Sequence, residues 1–261
     1  MELRKLIRQL SRDFPFSLSE EWDFPGYQCG RKDAHMDIHK VMLCLDFEES
    51  GFQKALEFQP DLILTHHPFL FGKRDEVLKA DPLKADLIIR IEEELHCPIY
   101  SYHTCFDKGE GGINDQILKR LGFSKERNCP DGLVRIASLD KAYTIEELAA
   151  FIKKELKLPY AFYLKGAIDP IYRIGLCAGG GSSLYQEAID CGADCFISGD
   201  CPHHTRLDMK RYQINYIDIS HEVEEDAFLV GMETALTKAD SGFDILPYRF
   251  EKDFNEVAYD K

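Results

Sequence analysis

The chain has 261 residues, 44% of them hydrophobic and 30% charged, which supports one large domain or two modest ones with a real core. With 32 Lys plus Arg against 46 Asp plus Glu, the net charge is -14, a field that repels phosphate backbones and anionic membranes. Bulk nucleic-acid binding is therefore not expected, and no stretch approaches the roughly 18 consecutive apolar residues of a membrane span.

The N-terminus interleaves acids and bases rather than forming the apolar run of a signal peptide, so a cytoplasmic protein is expected. Its Leu3, Ile7, Leu10 and Phe14 follow helical spacing instead and predict a helix over 1–13. Short apolar runs then alternate with amphipathic ones. Strands are expected at 41–45, 61–65, 98–102, 133–137, 159–164, 171–177, 194–198 and 214–219. Helices are expected at 48–58, 83–95, 113–121, 144–156, 182–191 and 222–236, with Thr144 and Glu147 placed for a capping box. Near-continuous apolar strands between helices imply α/β architecture, with mixed sheets covered by helices. The weakest seam is Asn128–Gly132, where Pro130 and Gly132 break the pattern. It divides the chain into halves of 1–128 and 129–261. Nine scattered cysteines, an odd number with no C-x-x-C pair, point to reduced, mostly buried thiols.

The chain also resembles itself. Residues 43–68 and 176–201 align without a gap at an offset of 133, with identities at Leu43/Leu176, Cys44/Cys177, Ser50/Ser183, Gln53/Gln186, Ala55/Ala188 and Asp61/Asp194. At an offset of 118, the 99–107 segment matches 217–225, pairing His103 with His221 and Asp107 with Glu225. Each copy reads as a strand, a helix and a strand ending in polar residues, which argues for internal duplication.

Four histidines, His66, His67, His103 and His221, fall at predicted strand ends, where open α/β sheets bind ligands. Adjacent side chains on an extended chain diverge, so His66 and His67 could serve different ions or opposite sides of one site. Asp107 follows His103 by four residues in a loop whose glycines permit close approach of a ligand. His221 and Glu225 are also four apart, on one face of a helical turn. Three imidazoles and two carboxylates, with His103 as a neighbour, are too many for one structural zinc. They suit two divalent ions bridged by a carboxylate and a water.

The chain is identified on these motifs as resembling the Nif-three-like dinuclear-metal-centre family, the GTP cyclohydrolase I type 2 homologues. The resemblance rests on D-L-I-L-T-H-H-P-F-L-F (61–71), S-Y-H-T-C-F-D-K-G-E-G-G-I-N-D (101–115), the 179–204 stretch with its G-G-G and G-D-C-P-H-H, and D-I-S-H-E-V-E-E (218–225). It implies two interleaved αβ halves, a two-metal site between them and a ring-shaped homohexamer. Carried over motif by motif, the family's ligands fall on His66, His67, Asp107, His221 and Glu225. The family's W-D-N is here Trp22-Asp23-Phe24, and His203 precedes the single His usual at His204. Both departures concern substrate contacts more than ligands.

The expected function is metal-dependent hydrolysis of a small molecule, with cyclohydrolase-type chemistry on a nucleotide ring as the named form. Asp107, His103 and His204 are the groups that could move protons, His103 and His204 being the catalytic candidates. The alternative is a non-catalytic metal-binding or regulatory oligomer, for which the same ligands would serve. Imidazole with carboxylate suits zinc, iron, manganese or nickel. Gly179–Gly181 before a helix could cradle an anion but fits neither nucleotide-loop spacing. Asp200, His203 and His204 read as support or substrate contacts, and His35, His39 and Glu92–Glu94 as solvated. Trp22 with Phe24, Pro25 and Tyr27 reads as an anchored loop, in the core or at a subunit contact.

Overall fold

The computed structural model describes residues 1–31, 33–221 and 223–249, without the side chains of Glu224 and Glu225. Two sheets carry the chain. In order, the first half supplies α1 (Leu3–Asp13), β1 (Gly26–Cys29), β2 (Lys40–Cys44), α2 (Glu49–Phe58), β3 (Leu62–Thr65), α3 (Arg74–Ala80), α4 (Pro82–Arg90), β4 (Ile99–Ser101), α5 (Thr104–Lys108) and α6 (Ile113–Leu121). There follow β5 (Ser124–Asn128), β6 (Arg135–Tyr143), α7 (Ile145–Leu156), β7 (Ala161–Leu164), β8 (Ile171–Leu176), α8 (Tyr185–Asp190), β9 (Cys195–Ser198), α9 (His203–Arg211), β10 (Asn215–Ile219), α10 (Val223–Ala239) and β11 (Asp244–Pro247).

The first sheet runs β1-β4-β3-β2-β11 and the second β5-β6-β8-β9-β10-β7. At the heart of each are three parallel strands, β2-β3-β4 and β8-β9-β10; β11 extends the first set in parallel, while β1 in the first sheet and β5, β6 and β7 in the second are antiparallel to their neighbours. The architecture is the mixed α/β one the sequence predicts. Residues of alternate parity explain the layers. Val41, Leu43, Leu62 and Leu64 face one large core, and their partners at offset 133, Ile174, Leu176, Cys195 and Ile197, face the same core from the second sheet. Ile63 and Phe196 point away, into separate outer cores under helices. Burial on both faces is why these strands are apolar throughout.

The registers repeat as well. Val41 pairs with Leu62 and Ile174 with Cys195, again 133 apart. Asp61 accepts the backbone N–H groups of His39 and Lys40, and Asp194 those of Tyr172 and Arg173. The third strands depart from the alignment by one residue. Ile63 pairs with Ile99, but Phe196 pairs with Tyr216, so by register the second offset is 117 and Ser220 rather than His221 stands opposite His103 in the repeat.

The sheets exchange elements with the halves. β11 returns to the first sheet, β5 joins the second, and α10, which follows β10, packs on α1, β2 and α6. Elements missed by the periodicity have physical reasons. β5 (S-K-E-R-N) is an edge strand of polar residues only, β11 is a Pro-bearing edge strand, and β1 is short with Gly at its head. α9 (H-H-T-R-L-D-M-K-R) buries Met209 alone, so it lacks an apolar stripe to read. The predicted 182–191 helix is a 3-10 turn over Gly181–Leu184 followed by α8. None of the nine cysteines is in a disulfide, and seven of them are buried. No helix among the described residues is long and apolar enough to cross a membrane.

Candidate metal centre

β3 delivers the first two imidazoles. The strand ends at Thr65, and His66 and His67 both donate their backbone N–H to the Leu45 carbonyl, which turns the chain. Thr65 Oγ1 and Ser101 Oγ donate to the His67 carbonyl at 2.8 and 3.2 Å and fix that turn. Because His67 has left the pleat, the two rings do not diverge as strand neighbours would; their centroids are 4.9 Å apart. β4 ends beside β3 and brings in His103, which begins α5; one turn on, Asp107 Oδ1 lies 3.6 Å from His66 Nε2. One donor atom each from His66, His67 and His103 lies within 4.8 Å of the other two, close enough to share an ion.

His221 arrives from the second sheet, after β10. Its ring centroid is 5.6 Å from that of His67. Glu225 belongs to the first turn of α10, and its side chain lies outside the described residues.

Every one of these imidazoles has Nδ1 engaged. His66 Nδ1 meets the Tyr102 carbonyl at 2.9 Å, and His67 Nδ1 meets both oxygens of Asp46 at 3.0 Å. His103 Nδ1 meets Asp23 Oδ1 at 2.9 Å, and His221 Nδ1 meets Asp200 Oδ2 at 2.6 Å. An acceptor at Nδ1 sets the tautomer, directs Nε2 away from it as the coordinating nitrogen, and makes that nitrogen more basic, the usual outer support of metal-bound histidine. Burial, reinforced by the neighbouring His67 and His103, holds the His66 imidazolium well below the ordinary range and so keeps the ring neutral. Neutral imidazole is the form that binds a cation. Burial alone would raise the Asp23 carboxyl, but hydrogen bonds from His103 and Thr104 overcome it and hold it below the usual carboxylate range.

The cluster lines a cavity of about 440 Å³. Trp22 and the histidines share its lining with Cys177, Gly179–Gly181 and Glu187, which follow β8 of the second sheet. The glycine triplet thus lines the same cavity as the imidazoles. Trp22 is 53% exposed, its indole tilted against Phe71 and edge-on to His103, and Asp23 ties the same loop to His103 and Thr104. His203 and His204 are exposed at the start of α9, and His204 is not among the residues lining the cavity. His35 and His39 are exposed.

Asp46 is the supporting group the motifs did not announce. Its one signal was a carboxylate just past the end of a predicted strand, as His66 is. Asp23 was visible in the W-D pair, but nothing local links it to a histidine 80 residues away.

A sequence profile of the Duf34/NIF3 (NGG1p interacting factor 3) family matches residues 1–253. The chain belongs to this family. Among its Duf34/NIF3 relatives, a Clostridium perfringens protein named GTP cyclohydrolase 1 type 2 homolog is 31% identical over 97% of this chain and 98% of its own. A Clostridium acetobutylicum protein of the same name is 28% identical, over 95% and 98%. The crystal structure of Staphylococcus aureus protein SA1388 superposes with a TM-score of 0.87 at 25% identity, covering 98% of this chain and 99% of that one. The Duf34/NIF3 fold and a cluster of three histidines able to hold a metal ion are therefore both present here.

Proposed function

We propose that the chain binds two divalent ions through His66, His67, Asp107, His221 and Glu225 and is a metal-dependent hydrolase of a small molecule. The observation that carries this is the convergence of His66, His67 and His103 donor atoms within 4.8 Å, each ring braced at Nδ1 by a carbonyl or carboxylate. The donor set fits borderline cations such as zinc, iron, manganese or nickel, and acceptors at Nδ1 leave Nε2 of each ring to coordinate. Ions held there would supply Lewis acidity, acidifying a water and polarising a substrate group. His103, braced by Asp23 and facing the cavity, is the residue placed to carry a proton to or from a substrate. His204, exposed on α9 and outside the cavity lining, is the second candidate for that role. The cavity volume suits a small molecule rather than a polymer. The name carried by the clostridial relatives makes nucleotides the first substrate class to try. We further propose that the assembly is a homohexamer in the cytoplasm and that the repeated registers are the trace of an internal duplication.

Elemental analysis of the purified protein, followed by nucleotide and peptide hydrolysis screens with and without chelator, tests the reading. The expected result is about two metals per chain and turnover that chelator abolishes and metal restores. Bound metal without any turnover would favour the regulatory alternative, and metal-free protein after reconstitution would overturn the centre itself.

A further inference from the structure

β6 opens on Arg135, the bulkiest fully enclosed side chain among the described residues. An enclosed guanidinium is costly unless its N–H groups are met. Nε donates to Asp115 Oδ1 at 2.8 Å, and Nη1 donates to the carbonyls of Gly132 and Leu133. Nη2 donates to three consecutive carbonyls, those of Asp107, Lys108 and Gly109, at 3.0, 3.0 and 3.1 Å. Those three close the C-terminal end of α5, a helix of five residues whose last carbonyls have no partner within the helix. So short a helix does not hold its own geometry. Asn114, also buried, donates through Nδ2 to the Asp107 carbonyl at 3.3 Å and to that of Leu133 at 3.1 Å. Its Oδ1 accepts the Ala178 N–H at 2.8 Å, at the foot of the glycine wall.

Arg135 stands in the second sheet, paired with Leu176 of β8, whereas Asp107 follows β4 of the first. We propose that Arg135 is a positioning residue. It fixes the main chain of Asp107 from the opposite sheet so that the carboxylate and His66 converge on one ion. Asn114 carries the same constraint to the glycine wall. The inference rests on the metal-centre reading and adds to it the residue that sets ligand geometry. A planar fork is needed because it spans several carbonyls at fixed angles; a lysine ammonium offers three donors at one point.

The test is Co²⁺ titration of chelator-stripped protein, following affinity and the visible d–d spectrum, with melting temperature measured in parallel. Arg135→Lys is expected to weaken Co²⁺ binding at the Asp107 position by about tenfold or more. Its spectrum should move in the same direction as that of Asp107→Asn. Ile152→Ala, in the core under α7, should lower the melting temperature and leave spectrum and affinity unchanged. If Arg135→Lys does not fold, Asn114→Ala, which releases the same carbonyl, is expected to give a smaller shift of the same kind. Wild-type protein that takes up no Co²⁺ overturns the metal centre and this role together. Wild-type uptake, with Arg135→Lys (or Asn114→Ala in its place) matching it in spectrum and affinity, overturns the positioning role alone.

Discussion

Removing the brace behind one ligand should separate metal affinity from folding. Asp46 meets His67 Nδ1 at 3.0 Å through both oxygens, and its side chain is 45% exposed. Outer braces of this kind are worth roughly 10–100-fold in metal affinity, or about 1.4–2.7 kcal/mol. As a contribution to the fold, so exposed a pair is worth only about 0–1 kcal/mol. For a chain of this size, that corresponds to a melting shift of at most about 4 °C in metal-free protein. Asp46→Ala should therefore bind metal at least tenfold more weakly while melting almost normally without metal. Asp23→Ala should weaken metal binding too if His103 helps hold an ion, but here the fold also suffers. The Asp23 side chain is fully enclosed and accepts from His103, from the Thr104 amide and hydroxyl and from its neighbour Phe24. Stranding the Thr104 donors costs about 1–3 kcal/mol for each group left unmet. Competitive chelator titration gives the affinities, and calorimetry in excess chelator gives the stabilities. An Asp46→Ala protein whose metal affinity stays within twofold of wild type would refute the bracing argument.

Glu225→Ala and His67→Ala should each fold, by circular dichroism, and retain fewer than two metals per chain by elemental analysis; full occupancy in both would sink the shared site. Burial alone would raise the Asp115 carboxyl, but the Gly111 N–H, Arg135 and Lys125 overcome it and hold it below the usual range. A depressed carboxylate contributes stability that is complete above the ordinary carboxylate pKa and is lost as pH falls through the folded value. Asp115→Asn should accordingly be less stable at neutral pH and lose less on acidification, and parallel acid limbs in chelator-treated samples would contradict this. Light scattering should report an assembly of more than two subunits; a particle of 30.0 kDa, one chain, would end that expectation. Burial pushes the Cys29, Cys97 and Cys105 thiols up to about 12, so at pH 8 a thiol reagent should label the partly exposed Cys191 and Cys201 first. All nine cysteines should react together only in denaturant.

The alternation of apolar strands with amphipathic helices settled the α/β class from the sequence alone, because a strand covered on both faces must be apolar along its whole length. The polar residues at strand ends marked the candidate centre for a related reason: T-H-H-P cannot continue a buried strand, so it had to lie at a strand end. What periodicity could not carry was anything without an apolar stripe, and so β5, β11 and α9 went unseen. Nor could spacing reveal partners far apart in sequence. Asp46 and Asp23 become braces only when β2 and the 20–24 loop are laid beside β3 and β4. Arg135, an unremarked residue at a strand head, acquires its carbonyl partners only when the two sheets pack. His66 and His67 were legible as candidate ligands, but that both rings enter one cavity depended on a turn held by Thr65 and Ser101. Residue type and local period specify which groups want burial and which resist it. Which groups then meet is decided by chain closure over tens of residues, and that is a property of the packed structure.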